Sequence, residues 1–120
     1  MEKIFAMAVP ILPGITEHWR KFTDELKHDR YDDFISSREK LNVHERSFLQ
    51  QTPMGDMVIV TLTGSDPENA FKNFALGDDP FTKWFIKEVK EIHGIDLANP
   101  PQGALPNLVV DSKAPALHAN

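Results

Sequence analysis

Residues 4–9, Ile-Phe-Ala-Met-Ala-Val, are an unbroken apolar run, and Pro10 and Pro13-Gly14 close the segment. A run without alternation is the pattern of a strand buried on both faces, predicted here over residues 4–11. The period then lengthens. Trp19, Phe22 and Leu26, then Tyr31, Phe34, Ile35, Arg38 and Leu41, recur at helical spacing with charges between them. They predict a helix over residues 16–41, about 39 Å long at the usual rise per residue. Thr16 suits its N-cap and Glu17 its first turn. The apolar stripe slips across Lys27-His28-Asp29-Arg30, which predicts a kink or a change of packing partner, and Asn42 closes the helix.

Residues 44–64 read as two strands joined by a tight turn. Thr52-Pro53-Met54-Gly55-Asp56 supplies the turn, with Gly55 free to take positive φ. Val58, Ile59 and Val60 are consecutive β-branched residues in the most strand-like stretch of the chain. A tight turn sets Gln50 opposite Ile59, Phe48 opposite Thr61 and Arg46 opposite Thr63. One face then carries Ser47, Leu49, Val58, Val60 and Leu62 and is nearly all apolar. The other carries His44, Arg46, Phe48, Gln50, Met57, Ile59, Thr61 and Thr63 and is mixed. An apolar face wants helices, whereas a mixed face is either wet or lines a cavity.

Asp66 and Pro67 form a helix start, as do Asp79 and Pro80. The first helix carries Ala70, Phe71 and Phe74 and stops at Gly77. The second covers residues 80–93, with Phe81, Trp84, Phe85, Val89 and Ile92 on one side and Gly94 as its stop. Asp78-Asp79 is read as capping rather than as a carboxylate dyad. Residues 107–111, Asn-Leu-Val-Val-Asp, can make one more short strand. The predicted order is β-α-β-β-α-α-β: a ferredoxin-like βαββαβ arrangement with an extra short helix, an antiparallel sheet and helices on one face. Its open face must be covered, and the simplest cover is a second copy of the same sheet. The domain spans residues 1–111, and residues 112–120 form a flexible tail.

With 120 residues, the chain is long enough for one domain and one core. Its net charge of −5 leaves no basic surplus for nucleic acid or an anionic membrane. It has no cysteines, hence neither disulfides nor thiolate chemistry. The first ten residues are too short an apolar run for a signal peptide, and no run approaches a bilayer span, so the cytoplasm is the expected location.

The element order, the long first helix, Phe48-Leu-Gln-Gln-Thr-Pro-Met-Gly-Asp, Asp79-Pro-Phe-Thr-Lys-Trp-Phe and His93-Gly-Ile-Asp carry a resemblance. Over residues 1–111 the chain resembles the dimeric α+β barrel superfamily, in particular small bacterial members of unestablished function. That superfamily holds cofactor-free monooxygenases, muconolactone isomerase-like enzymes, haem proteins and stress-response proteins. The resemblance implies a fold and a homodimer but does not choose an activity. None of the catalytic motifs of those enzymes maps residue by residue onto this chain.

Candidate chemistry gathers on the mixed hairpin face. If two sheets close face to face, His44, Arg46, Gln50 and Thr61 point into a cavity with Phe48, Met57 and Ile59 around them. There Arg46 can hold a carboxylate or enolate oxygen and His44 can move a proton. The competing reading has His44 and Arg46 at an open strand end, in water or paired across a dimer interface. One bulge would flip the faces, turn Glu45, Ser47 and Gln51 inward, and make Glu45 the base. The five histidines form no metal set, since none of the His/Asp/Glu spacings matches a ligand pattern on one helix, and no metal site or cofactor is expected. His28 reads as surface, and His93 sits at a helix end that suits a protonated imidazole. Haem ligation stays open for a helix-borne histidine. Trp19, Trp84, Phe71, Phe74, Phe81 and Phe85 read as core. Two functions remain. One, the favoured reading, is a homodimeric barrel that binds a small apolar oxygen-bearing compound; its catalysis is left open and would be that of a monooxygenase, isomerase or lyase without a tightly bound cofactor. The other is a non-catalytic stress-response or structural dimer.

Overall fold

The computed structural model describes residues 2–99 and 106–113. Its elements are β1 (Lys3–Pro10), α1 (Thr16–Lys27), α2 (Tyr31–Leu41), β2 (Val43–Thr52), β3 (Gly55–Gly64), α3 (Pro67–Phe74) and α4 (Pro80–His93). The strands form one antiparallel sheet in the order β1-β3-β2, so the chain is an α+β protein. The expected fourth strand is absent from residues 107–111, where Leu108, Val109 and Val110 are exposed. A β-branched run gains its backbone hydrogen bonds only beside a sheet edge, and this one lies beside none among the described residues. The tail beyond Lys113 lies outside them.

The single helix expected over residues 16–41 is two helices. At the break the backbone N–H groups of His28 and Arg30 both reach the Glu25 carbonyl, at 3.3 and 2.8 Å. Leu26 and Tyr31 are five residues apart, so a continuous helix would turn the second stripe away from the first. Breaking it lets α2 aim Phe34 and Arg38 at the same core that α1 reaches with Trp19, Phe22 and Leu26. The N-cap of α1 is Ile15, and Thr16 instead donates its hydroxyl to Asp56 Oδ2 at 2.6 Å. Asn42 closes α2 in the left-handed conformation, φ 57°.

The hairpin pivots one residue earlier than expected. Pro53 and Met54 make the loop, and Gln50 faces Met57, Phe48 faces Ile59 and Arg46 faces Thr61. Pro53, with its fixed φ, pre-forms the turn. Gly55 takes φ 129°, and Thr52 Oγ1 donates to the Gly55 carbonyl at 2.6 Å. A one-residue change of pivot moves every partner by two, so each side chain keeps its face. The ladder from Val43↔Gly64 to Thr52↔Gly55 has no bulge.

The four helices among the described residues lie against one face of the sheet, where Ile11, Phe22, Val58, Phe81, Phe85 and Ile92 lead the core. Phe85 sits at its centre, with ring centroids 5.2 Å from Phe22 and 5.1 Å from Phe74. Asp79 caps α4 by accepting from the Thr82 hydroxyl at 2.7 Å and the Thr82 N–H at 3.1 Å. Those bonds, the hydroxyl's first, hold its carboxyl below the usual carboxylate range. Asp66 caps α3 in the same way, from the Asn69 N–H, but α3 ends at Phe74, short of Gly77.

β1 is covered on one face only. Phe5 is buried and Met7 and Val9 half-buried, while Ile4, Ala6 and Ala8 are exposed. The expectation of a strand buried on both faces therefore fails within one chain, because every helix goes to the other side. Phe85→Ala lowers the unfolding free energy by about 3–5 kcal/mol. Trp84→Ala costs less, since that ring is only partly buried and Arg30 covers it at 4.0 Å from the centroid. Urea denaturation of both variants checks the order.

Candidate ligand cavity

Alternation puts His44, Arg46, Phe48, Gln50, Met57, Ile59 and Thr61 together on the face away from the helices. His44, Arg46, Phe48 and Gln50 are exposed there, and Met57, Ile59 and Thr61 are half-buried. The expected cluster exists, but a single chain does not enclose it. Glu45 and Ser47 point the other way, under the helices, and they do so without a bulge.

Partly enclosed space lies on that helix side. A cavity of about 150 Å³ separates the sheet from the helices. β-strand residues Met7, Val9, Val58, Val60 and Leu62 make its floor, and Trp19, Phe22, Phe74, Phe85 and Val89 make its roof. Trp19, Thr23, Leu26, Glu45 and Ser47 also border a surface cleft edged by Arg20, Asp24 and Lys27, which supplies a mouth between α1 and β2.

One end of the cavity is marked by a buried ion pair. Arg38, 8% exposed, donates from Nε to Glu45 Oε1 at 2.7 Å and from Nη1 to Ser37 Oγ at 2.9 Å. Its guanidinium carbon lies 4.9, 4.7 and 4.8 Å from the ring centroids of Phe34, Phe74 and Phe85. A planar, weakly hydrated cation tolerates such a box, and the ring faces add attraction when water is excluded. Nη2 makes no hydrogen bond among the described residues, and no buried side-chain polar atom among them lacks a partner.

His93 marks the other end. Phe85 and His93 are eight residues apart on α4, about 12 Å along the axis. His93 Nδ1 lies 2.8 Å from the Pro10 carbonyl. A carbonyl only accepts, so Nδ1 carries the proton and Nε2 keeps its lone pair. Burial pushes the His93 pKa down, partly offset by that hydrogen bond. The imidazolium expected from the helix dipole is thus disfavoured, and the His93 ring lies at the cavity wall.

Neither a family model nor a curated protein matches the chain. Arg38 and His93 were visible in the sequence as residues but not as a site. Arg38 stood on the apolar stripe of its helix, four residues after Phe34, where a charge is out of place unless it is paired. That was the available signal. Its partner Glu45 lies on a strand, and only the tertiary fold brings His93 to the same space.

Removing one member of the ion pair strands the other in a low-dielectric wall. Arg38→Met costs about 3–5 kcal/mol, and adding Glu45→Leu recovers most of that loss. Chemical denaturation of the single and double variants checks the cycle. The depressed His93 pKa sets a pH dependence as well. Its contribution to stability is complete above the ordinary histidine value of about 6.5. It is lost as the pH falls towards the lower folded value, because only the unfolded chain then takes up the proton. His93→Gln flattens the stability profile over that window, read as melting temperature against pH relative to the unsubstituted protein.

Proposed function

We propose that the protein binds a small, mostly apolar, oxygen-bearing compound in the cavity between sheet and helices, as a homodimeric ferredoxin-like α+β barrel. The observation that carries this reading is the apolar cavity with a guanidinium at one end and a neutral imidazole at the other. A space of this size takes about one aromatic ring. Arg38 Nη2 offers a hydrogen bond to a carbonyl, phenol or enolate oxygen, and His93 Nε2 accepts a proton from carbon or oxygen. Each suits one half of proton transfer next to a carbonyl, the common first step of cofactor-independent oxygenation, isomerisation or lysis, and with the two ends about 12 Å apart along α4 a one-ring ligand meets one of them at a time. This reading moves the catalytic candidates from His44 and Arg46 to Arg38 and His93, with Glu45 orienting the guanidinium.

The dimer is proposed from the uncovered sheet face. Ile4 and Phe48 are 50% and 54% exposed, and Ala6, Ala8, Ile59 and Thr61 lie on the same face. A second copy packed there face to face buries these side chains and leaves Arg46 and His44 for pairing near its edge.

Phenol and 4-methylphenol, titrated against the intrinsic fluorescence of the protein, test the cavity, because Trp19 lines it. Binding is expected, and Val60→Phe, which fills the floor, weakens it at least tenfold. Equal affinity in that variant would sink the assignment. Light scattering is expected to give twice the 13.6 kDa chain mass, and Phe48→Glu to give the single mass. A dimer without ring binding would favour the non-catalytic reading.

A further inference from the structure

We propose that His18 on α1, with Glu88 and Glu91 on α4, forms a site for a divalent first-row transition-metal ion on the outer side of the two helices that roof the cavity. The three residues offer one ligand atom each, and those atoms all lie within 4.8 Å of one another. His18 Nε2 is 2.5 Å from Glu88 Oε2 and 3.8 Å from Glu91 Oε2. Glu88 and Glu91 are three apart on one helix, which puts both carboxylates on the same face. His18 comes from 70 residues away, so spacing along one helix could not reveal the set.

The donor set selects the ion. One imidazole nitrogen and two carboxylate oxygens suit zinc, manganese or iron better than calcium or magnesium, which prefer oxygen alone. Ligand–metal distances of about 2.0–2.2 Å are met when the His18–Glu88 contact opens and the Glu91 carboxylate closes slightly. Three protein ligands leave a place for water, as in open zinc sites.

Charge supports the assignment. The cluster holds two carboxylates against one imidazole and is net negative in either protonation state of the ring. Among the described residues, neither glutamate pairs with a lysine or arginine. A His18–Glu88 ion pair alone would account for two of the three groups and would give Glu91 no role. The side chain of Glu88 is 17% exposed and that of Glu91 is 47% exposed, so the third corner is open to an arriving ion. An ion bound here would join α1 to α4 above Trp19, Phe22, Phe85 and Val89, and so would stiffen the cavity roof. The inference does not depend on what the cavity binds.

Calorimetric titration of the full chain with Zn²⁺, and with Co²⁺ for its visible absorption, tests the site. Saturable binding of one ion per chain is expected, with a melting temperature that rises with Zn²⁺ concentration. His18→Gln and Glu91→Gln each weaken binding at least tenfold, whereas His28→Gln, an exposed imidazole elsewhere, leaves it unchanged. Glu91→Gln is the decisive variant. Its side chain is half exposed, so the fold survives, and a purely structural His18–Glu88 pair would not respond to it. Affinity no better than millimolar, or equal affinity in Glu91→Gln, would overturn the proposal.

Discussion

A three-stranded sheet with every helix on one side is the constraint from which the rest of this structure follows. The helices bury the alternate residues Phe5, Val58 and Leu62 and leave Ile4, Phe48 and their neighbours on the bare side. One face therefore becomes a core with a cavity inside it. The other becomes a surface with exposed large side chains. Both functional proposals come from this asymmetry, the ligand on the covered side and the second copy on the open one.

Within the covered side, the Arg38–Glu45 pair is the feature hardest to explain as packing. Buried ion pairs are weak sources of stability, because desolvation offsets most of the Coulomb attraction. Their effect is better seen in what they specify. The pair links the last turn of α2 to the start of β2 and fixes a guanidinium between Phe34, Phe74 and Phe85. His93, made neutral by burial and oriented by the Pro10 carbonyl, gives the far end its own polarity.

Much of the fold was legible in the sequence because local rules governed it. Asp66-Pro67 and Asp79-Pro80 start helices, Asn42 and Gly94 end them, and residues 80–93 form a helix with the expected bounds. The division of the hairpin into an apolar and a mixed face also held, although the pairing was off by two. Side chains alternate with period two, so an even shift leaves the faces intact. The slip in the apolar stripe at Lys27–Arg30 was visible too, and only its size was underestimated.

What the tertiary structure alone decided is which face encloses a cavity and which distant groups meet there. Sequence pattern tells how apolar a face is, but not whether a ligand-sized space remains once helices cover it, since that depends on the volumes of side chains from four helices and three strands. Hence the mixed face, rich in candidate chemistry, turned out bare in one chain, and the apolar face holds the enclosed space. Arg38 with Glu45, His93 with Pro10, and His18 with Glu88 are joined across separate elements. Local propensity and capping act within a few residues and so specified the elements. Contacts between elements depend on how those elements pack, and that packing placed the ionisable groups.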